Sequence, residues 1–255
     1  MSMPPDCCLK GFAWEGTPTG KETKLNTNAT YVSGTNPSVA IVVIHDLFGW
    51  KWNNLRLLAD HFAAEADATV YVPDFFGGEA LDPEKILAAR WEELDLPDFV
   101  WRRNNKEVRG PQMVEFVGAL RRQGFERVGA VGYCYGGWAV FRLAGAEWEE
   151  GRRLVDFVSA GHPSGLTAKE IVGVRIDVPV QLLAPEHDGQ FTPELKLHAF
   201  VALQKKGVSF EYQHFPGVEH ACLTRGDEKV PGDRAALVRG KNAVVAWARQ
   251  WLHEV

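Results

Sequence analysis

The sequence predicts an α/β fold: a mainly parallel central sheet covered by helices on both faces. Three observations predict it. Strand-like runs alternate with segments of helical spacing along the chain. The strongest strand, residues 38–45, is apolar almost throughout, as in a strand buried on both faces. Finally, residues 127–131 read as a short buried strand that turns at once, through Gly132-Tyr133-Cys134-Tyr135-Gly136-Gly137, into residues 138–146 with helical spacing.

Taken in order, residues 1–22 are rich in Pro, Gly and Thr and read as an irregular surface segment. Residues 24–31 alternate as a polar edge strand. Strand 38–45 leads through Asp46-Leu47-Phe48-Gly49-Trp50 to a helix near 53–64, where Leu55, Leu57, Leu58 and Phe62 repeat at helical spacing. A second parallel strand, 69–73, ends in Pro73-Asp74-Phe75-Phe76-Gly77-Gly78. Residues 80–106 form a polar, Trp-containing excursion with helical stretches near 83–94 and 98–106. A helix over 112–123 is closed by Gly124. Beyond the elbow come strands at 154–160, 178–184 and 208–215, a helix at 193–205 and a closing amphipathic helix at 235–253. No repeat or low-complexity segment divides the chain, so one domain over 1–255 is expected.

A chain of 255 residues can bury one sizeable core. The net charge of −5, with no dense Lys/Arg run, argues against nucleic acid as a partner. No apolar segment has the length to span a bilayer, so no membrane partner is expected. The first residues lack the basic start and apolar stretch of a secretory signal. The four cysteines are Cys7, Cys8, Cys134 and Cys222. Two are neighbours and no C-x-x-C pair exists, which is poor material for a disulfide frame or a zinc site. A reducing, cytoplasmic setting and a monomer or homodimer are the expectations.

Gly-x-Cys-x-Gly between a strand and a helix reads as a nucleophile elbow. The bend forces the central residue into a strained conformation, and side chains at the flanking glycines would clash with the facing backbone. The central side chain stands at a helix N-terminus, where unpaired N–H groups and the helix dipole favour an anion. A thiol there loses its proton more easily than a free one. The structural alternative for Cys134 is a small buried hydrophobe at a strand end.

Asp46, Cys134, His162, Asp188 and His220 each follow a strand-like run. In a parallel sheet that gathers them beyond the carboxyl ends, where ligands bind. The order Cys134, Asp188, His220 is the nucleophile–acid–base order of α/β-hydrolases. A Cys134 thiolate attacks a carbonyl carbon, and His220 handles the thiol proton and later activates water. Asp188 orients the imidazole and stabilises its cation. Backbone N–H groups of Leu47 and Tyr135 are positioned to hold the oxyanion. This chemistry requires no metal or organic cofactor. His162 and His187 are rival bases; His220 is preferred because it follows the last strand. Asp188 beside Gly189 could instead only shape a turn.

With these residues in view, the chain resembles the dienelactone hydrolase family, particularly its eukaryotic, fungal-type members. The resemblance covers nearly the whole chain. It rests on Cys7-Cys8 with Gly16-Thr17-Pro18-Thr19-Gly20, on Ile44-His45-Asp46-Leu47-Phe48-Gly49, on Pro73-Asp74-Phe75-Phe76-Gly77-Gly78, on the cysteine elbow, on Asp188 with Phe191 and Pro193, and on Gly217-Val218-Glu219-His220. It implies an α/β-hydrolase fold and hydrolysis of a small-molecule lactone or ester through an acyl-cysteine, with dienelactone as the family's reference substrate.

Two positions depart from what the resemblance implies. Its bacterial members carry a glutamate after the central strand that assists cysteine activation; here the residue is Asp46, one methylene shorter. Asp46 either couples to Cys134 or caps its own loop. Bacterial members also hold the substrate carboxylate with arginines. One such position falls in Phe75-Phe76-Gly77-Gly78, which has no basic residue, and the other corresponds to Arg225 with a shifted offset. The expected substrate pocket is therefore aromatic, formed by Phe48, Trp50, Phe75, Phe76, Trp138 and Phe191 with His162 and Arg225, and suits a less polar lactone or ester. Two other function classes compete: a non-catalytic α/β-hydrolase-fold protein that binds a small molecule or partner, and a cysteine peptidase.

Overall fold

A computed structural model describes residues 3–4, 8–79 and 81–254. Cys7 lies outside them. The chain opens with strands β1 (Lys21–Leu25), β2 (Asn28–Ser33) and β3 (Val39–Ile44), then helix α1 (Asn53–Glu65) and β4 (Thr69–Pro73). The short helices α2 (Pro83–Leu87) and α3 (Leu96–Asp98) lead to α4 (Lys106–Arg122), β5 (Arg127–Tyr133) and α5 (Gly136–Gly145). There follow β6 (Phe157–Gly161), α6 (Ala168–Gly173), β7 (Val180–His187), α7 (Pro193–Lys206), β8 (Phe210–Glu219), α8 (Cys222–Arg225) and α9 (Pro231–Arg249).

Among the described residues the strands form one sheet in the order β1-β2-β4-β3-β5-β6-β7-β8. The β1–β2 and β2–β4 pairs are antiparallel and every later pair is parallel. β3 sits in the middle, and its alternation explains the two-sided core. Ala40, Val42 and Ile44 face one apolar cluster, and Val39, Ile41 and Val43 face the other. Helices α4 and α5 cover the first side, and α1 and α9 cover the second.

Element ends shift by a few residues throughout, and three differences from expectation have a clear physical cause. The single edge strand at 24–31 is a hairpin that turns at Asn26 and Thr27, with Asn26 in the left-handed region at φ 51°. Asn tolerates that region better than most residues, so the turn interrupts a polar pattern that reads as continuous. Helix α4 starts six residues before 112, at Lys106, and runs through Pro111. Asn105 caps it by accepting from the Val108 N–H at 2.9 Å, and Arg109 ties its first turns to Asn104 and to the Phe76 carbonyl. Finally, 154–156 is not strand; Asp156 there receives Arg121 and the Val128 N–H.

Candidate active site

The elbow lies between β5 and α5. Cys134 has φ 48°, the strained left-handed conformation of a sharp strand-to-helix turn. The flanking glycines are sterically required. A Cβ on Gly132 would come within 2.2 Å of the Gly136 carbonyl oxygen, and one on Gly136 within 2.3 Å of the Ile44 carbonyl oxygen. A Cβ on Gly137 would meet Pro163 at 2.3 Å. The turn is fixed by the Cys134 N–H on Gly161 O and by the Ser164 N–H on Cys134 O, at 3.1 and 2.8 Å.

The carboxyl ends of β5, β6, β7 and β8 then bring four side chains together. His220 Nδ1 lies 2.9 Å from Asp188 Oδ1, with both side chains shielded from solvent. The Asp188 loop is locked by its own carboxylate: Oδ1 also accepts from the Gln190 and Phe191 N–H groups at 2.8 and 3.0 Å. His220 is held by its N–H on the His187 carbonyl at 3.0 Å. On the other side of the imidazole, Nε2 lies 3.3 Å from Ser164 Oγ, and the same hydroxyl lies 3.3 Å from Cys134 Sγ. Ser164 thus bridges the thiol and the imidazole. Cys8, from the N-terminal segment, places its Sγ 4.0 Å from that of Cys134.

The electrostatics follow from these contacts. The hydrogen bond with Cys8 holds the Cys134 thiol well below its usual range; burial opposes this, and the charges of His220 and Arg225 support it. Burial alone would lower His220, but the Cys134 charge and the Asp188 hydrogen bond push it up to about 10. Burial likewise works against the Asp188 carboxylate, yet the His220 partner and the two loop N–H groups keep it below the usual range. The arrangement favours a thiolate–imidazolium pair backed by a carboxylate.

Cys134 opens into a cavity of about 240 Å³, lined among others by Leu47, Val100, Trp101, Asn104, Tyr135, Trp138 and Ser164. The N–H groups of Leu47 and Tyr135 make no hydrogen bond among the described residues. Lys106, a cation in the lining, is paired with the Glu170 carboxylate at 2.6 Å.

The expected pocket residues divide sharply. Trp138 lines the cavity, but Phe48, Trp50, Phe75, Phe76, His162, Phe191 and Arg225 do not. Asp74 caps the turn after β4, accepting from Phe76 and Gly78 N–H, and folds both phenylalanines back into the core. Phe75 stands edge-on to Phe116, and Phe76 to Phe99 and Tyr135. Trp50 belongs to the opposite core, and Phe191 packs beneath the Asp188 loop. Each fills a well-packed interior and so does not line the cleft. His162 is fully buried against Tyr133 and His220. Its two nitrogens find no partner among the described residues, and burial drives its pKa down to about 3, so it is neutral.

Asp46 does not reach Cys134 with a hydrogen bond. One oxygen accepts from the Phe48 N–H at 2.8 Å, and the other takes the Thr224 hydroxyl at 3.0 Å and Arg225 Nε at 2.9 Å. The short side chain is fully engaged in its own loop and in a buried ion pair. Arg225 in turn donates to the carbonyls of Cys8 and Lys10 and lies under the Phe48 ring, 4.1 Å from its centroid. It fastens the N-terminal segment and does not face the cavity.

Ser164 and Cys8 escaped sequence reasoning, as did the wall from 100 to 105. Ser164 carried the same signal as His162, a polar residue just beyond a strand end. Cys8 entered only as part of the resemblance, with no place at the site, because its contacts are 126 and 156 residues away.

A mainly parallel sheet with a strained cysteine elbow, an acid after β7 and a histidine after β8 defines an α/β-hydrolase fold. The family model for the dienelactone hydrolase family matches residues 28–252, and the chain belongs to that family. It is a hydrolase of that kind. It is 30% identical over 263 residues to the hydrolase pyvD of Aspergillus violaceofuscus, with 98% of each chain covered. It is 25% identical to the human carboxymethylenebutenolidase homolog, covering 97% of this chain and 98% of that one. Among solved structures, a putative dienelactone hydrolase from Klebsiella pneumoniae superposes with a TM-score of 0.70 at 15% identity, covering 91% of this chain and 99% of the other. Carboxyl esterase 2 of Tuber melanosporum gives 0.63 at 14% identity, covering 94% and 90%. Among the described residues, no helix is long and apolar enough to cross a membrane.

Proposed function

We propose that this protein hydrolyses a neutral lactone or carboxylic ester through an acyl-cysteine on Cys134. The observation that carries the reading is the continuous chain from Cys134 through Ser164 to His220 and Asp188, which ends at the floor of an apolar cavity.

The Cys134 thiolate adds to the substrate carbonyl carbon, and the carbonyl oxygen becomes an oxyanion held by the Leu47 and Tyr135 N–H groups. When the tetrahedral centre collapses, the C–O bond to the leaving group breaks. The imidazolium of His220 gives its proton to the departing alkoxide, directly or across the Ser164 hydroxyl. His220, now neutral, takes a proton from water as the water oxygen attacks the acyl carbon. The second collapse breaks the C–S bond, releases the carboxylic acid and restores the thiolate–imidazolium pair. Asp188 holds the imidazole orientation and stabilises its charge throughout.

The cavity supports a substrate without a carboxylate near the reacting ester. Its lining is dominated by Leu47, Val100, Trp101, Tyr135 and Trp138, and Lys106 is already paired. Arg225 is occupied by Asp46. The human relative's name refers to carboxymethylenebutenolide, which carries such a carboxylate; an uncharged ester suits this cavity better. The test is turnover of a short-chain chromogenic ester beside its carboxylate-bearing analogue, by wild type and Cys134→Ala. The reading expects preference for the neutral ester and loss of turnover in the variant. Undiminished turnover by Cys134→Ala would sink it.

A further inference from the structure

We infer that Cys8, Cys134 and His220 form a binding site for a zinc ion, with Ser164 at its fourth corner. The inference deepens the reading of this site as a cysteine hydrolase by adding a reversible off-state, but the binding itself does not depend on that reading.

The four donor atoms come from distant parts of the chain and are clustered by the fold. The sulfurs of Cys8 and Cys134 are 4.0 Å apart. Those sulfurs and the ligating nitrogen of His220 all lie within 4.8 Å of one another. Ser164 Oγ stands 3.3 Å from Cys134 Sγ, 3.7 Å from Cys8 Sγ and 3.3 Å from His220 Nε2. In a tetrahedron with zinc–sulfur bonds of about 2.3 Å, the sulfur–sulfur edge is about 3.8 Å. The observed spacing therefore needs small side-chain adjustments and no new backbone path. Two cysteines and one histidine, with an oxygen or water completing the shell, are donors that zinc accepts.

The surroundings also suit a metal. Asp188 engages Nδ1 of His220, which leaves Nε2 aimed at the cluster, the usual orientation device for a ligating histidine. The Cys8 carbonyl is tied to Arg225 at 2.7 Å, so its sulfur is held near Cys134 by the fold. Cys8, Cys134 and Ser164 line the cavity, which provides an entry path. Charge balances too. Binding expels the proton on Cys8 and the proton shared by Cys134 and His220, and two thiolates then neutralise the dication. The buried complex carries no net charge, which removes the main cost of placing an ion there.

Zinc in this position occupies the nucleophile's lone pair and the base's Nε2 together, so ester hydrolysis stops while it is bound. The experiment uses the full chain with zinc chloride in equilibrium dialysis and cobalt(II) chloride as a spectroscopic probe. Wild type and Cys222→Ala should bind one metal per chain, and cobalt should show thiolate charge-transfer absorption. Because losing even an outer partner of a ligand costs about 10–100-fold in affinity, Cys8→Ala and Cys8→Ser should weaken binding by more than about a hundredfold. Equal affinity in wild type and both Cys8 variants, or a cobalt spectrum without thiolate absorption, overturns the site. Hydrolysis measured in the same titration separates the two readings. If one bound zinc leaves hydrolysis unaffected, the site stands and the acyl-cysteine reading fails.

Discussion

His220 Nδ1 lies 2.9 Å from Asp188 Oδ1, and neither side chain is exposed to solvent. A buried carboxylate beside a buried imidazole fixes which nitrogen faces the nucleophile. Asp188→Asn keeps the shape but removes the charge that stabilises the imidazolium. His220→Ala removes the proposed base. Each should lower kcat by about two to four powers of ten in steady-state ester hydrolysis. His162→Ala should change kcat far less, since neutral His162 makes no hydrogen bond to the cluster among the described residues. An inactive His162 variant beside an active His220 variant would contradict this assignment.

Ser164 stands beside both the thiol and the imidazole, its hydroxyl at 3.3 Å from each. If its hydroxyl carries the proton between them, Ser164→Ala should lower kcat by about tenfold, less than the loss of a true general base. It should also move the acid limb of the pH–rate profile, because the Cys134–His220 pair would lose a hydroxyl that both of its members face. A lower kcat with an unmoved profile would point to a packing role only.

The pH dependence of alkylation follows from the Cys134–His220 pair. A thiol held well below its usual pKa is already thiolate near neutral pH and is protonated only as pH falls through that lowered value. His220, pushed up to about 10, keeps its positive charge across the same window. Iodoacetamide should therefore modify Cys134 rapidly and with little change from mildly acidic to mildly alkaline pH. Cys222, whose thiol burial pushes upward, should react slowly. His220→Ala removes the cation, so the Cys134 profile should shift to higher pH. Peptide mapping after timed labelling measures all three. Faster labelling of Cys222 than of Cys134 would contradict the assigned ionisation.

Asp46 and Arg225 form a buried pair at 2.9 Å. Asp46→Asn leaves the Arg225 charge without its counter-ion, and breaking such a pair costs about 3–5 kcal/mol. The loss should appear as a lower urea midpoint. Since the Arg225 charge already favours the thiolate, the variant should also alkylate at Cys134 at least as fast as wild type at acidic pH. Slower alkylation would contradict this view of Asp46.

Much of the fold was legible because strands buried on both faces leave an unmistakable apolar signature, as residues 39–44 do. The elbow was legible because its geometry admits only glycine at Gly132 and Gly136. Local patterns failed where tertiary contacts decide. The helix expected from 112 starts at Lys106 instead, because Asn105 and Arg109 anchor α4 earlier. Phe75 and Phe76 looked like pocket walls, but the Asp74 turn sends both inward. Whether an aromatic ring lines a cavity or fills a core depends on the direction of one turn, which composition does not encode. Cys8 meets Cys134 only after the whole sheet has assembled, so no spacing rule finds it.

The central claim is that the acyl group passes through Cys134, and trapping that intermediate tests it most directly. Wild type turning over an activated ester would be quenched in acid and mapped by mass spectrometry, with Cys134→Ala in parallel. The account predicts a thioester-linked acyl group on the peptide that contains Cys134, discharged by hydroxylamine and absent from the variant. An acyl group on Ser164 or Cys8 in the wild type, with Cys134→Ala still turning over, would contradict it.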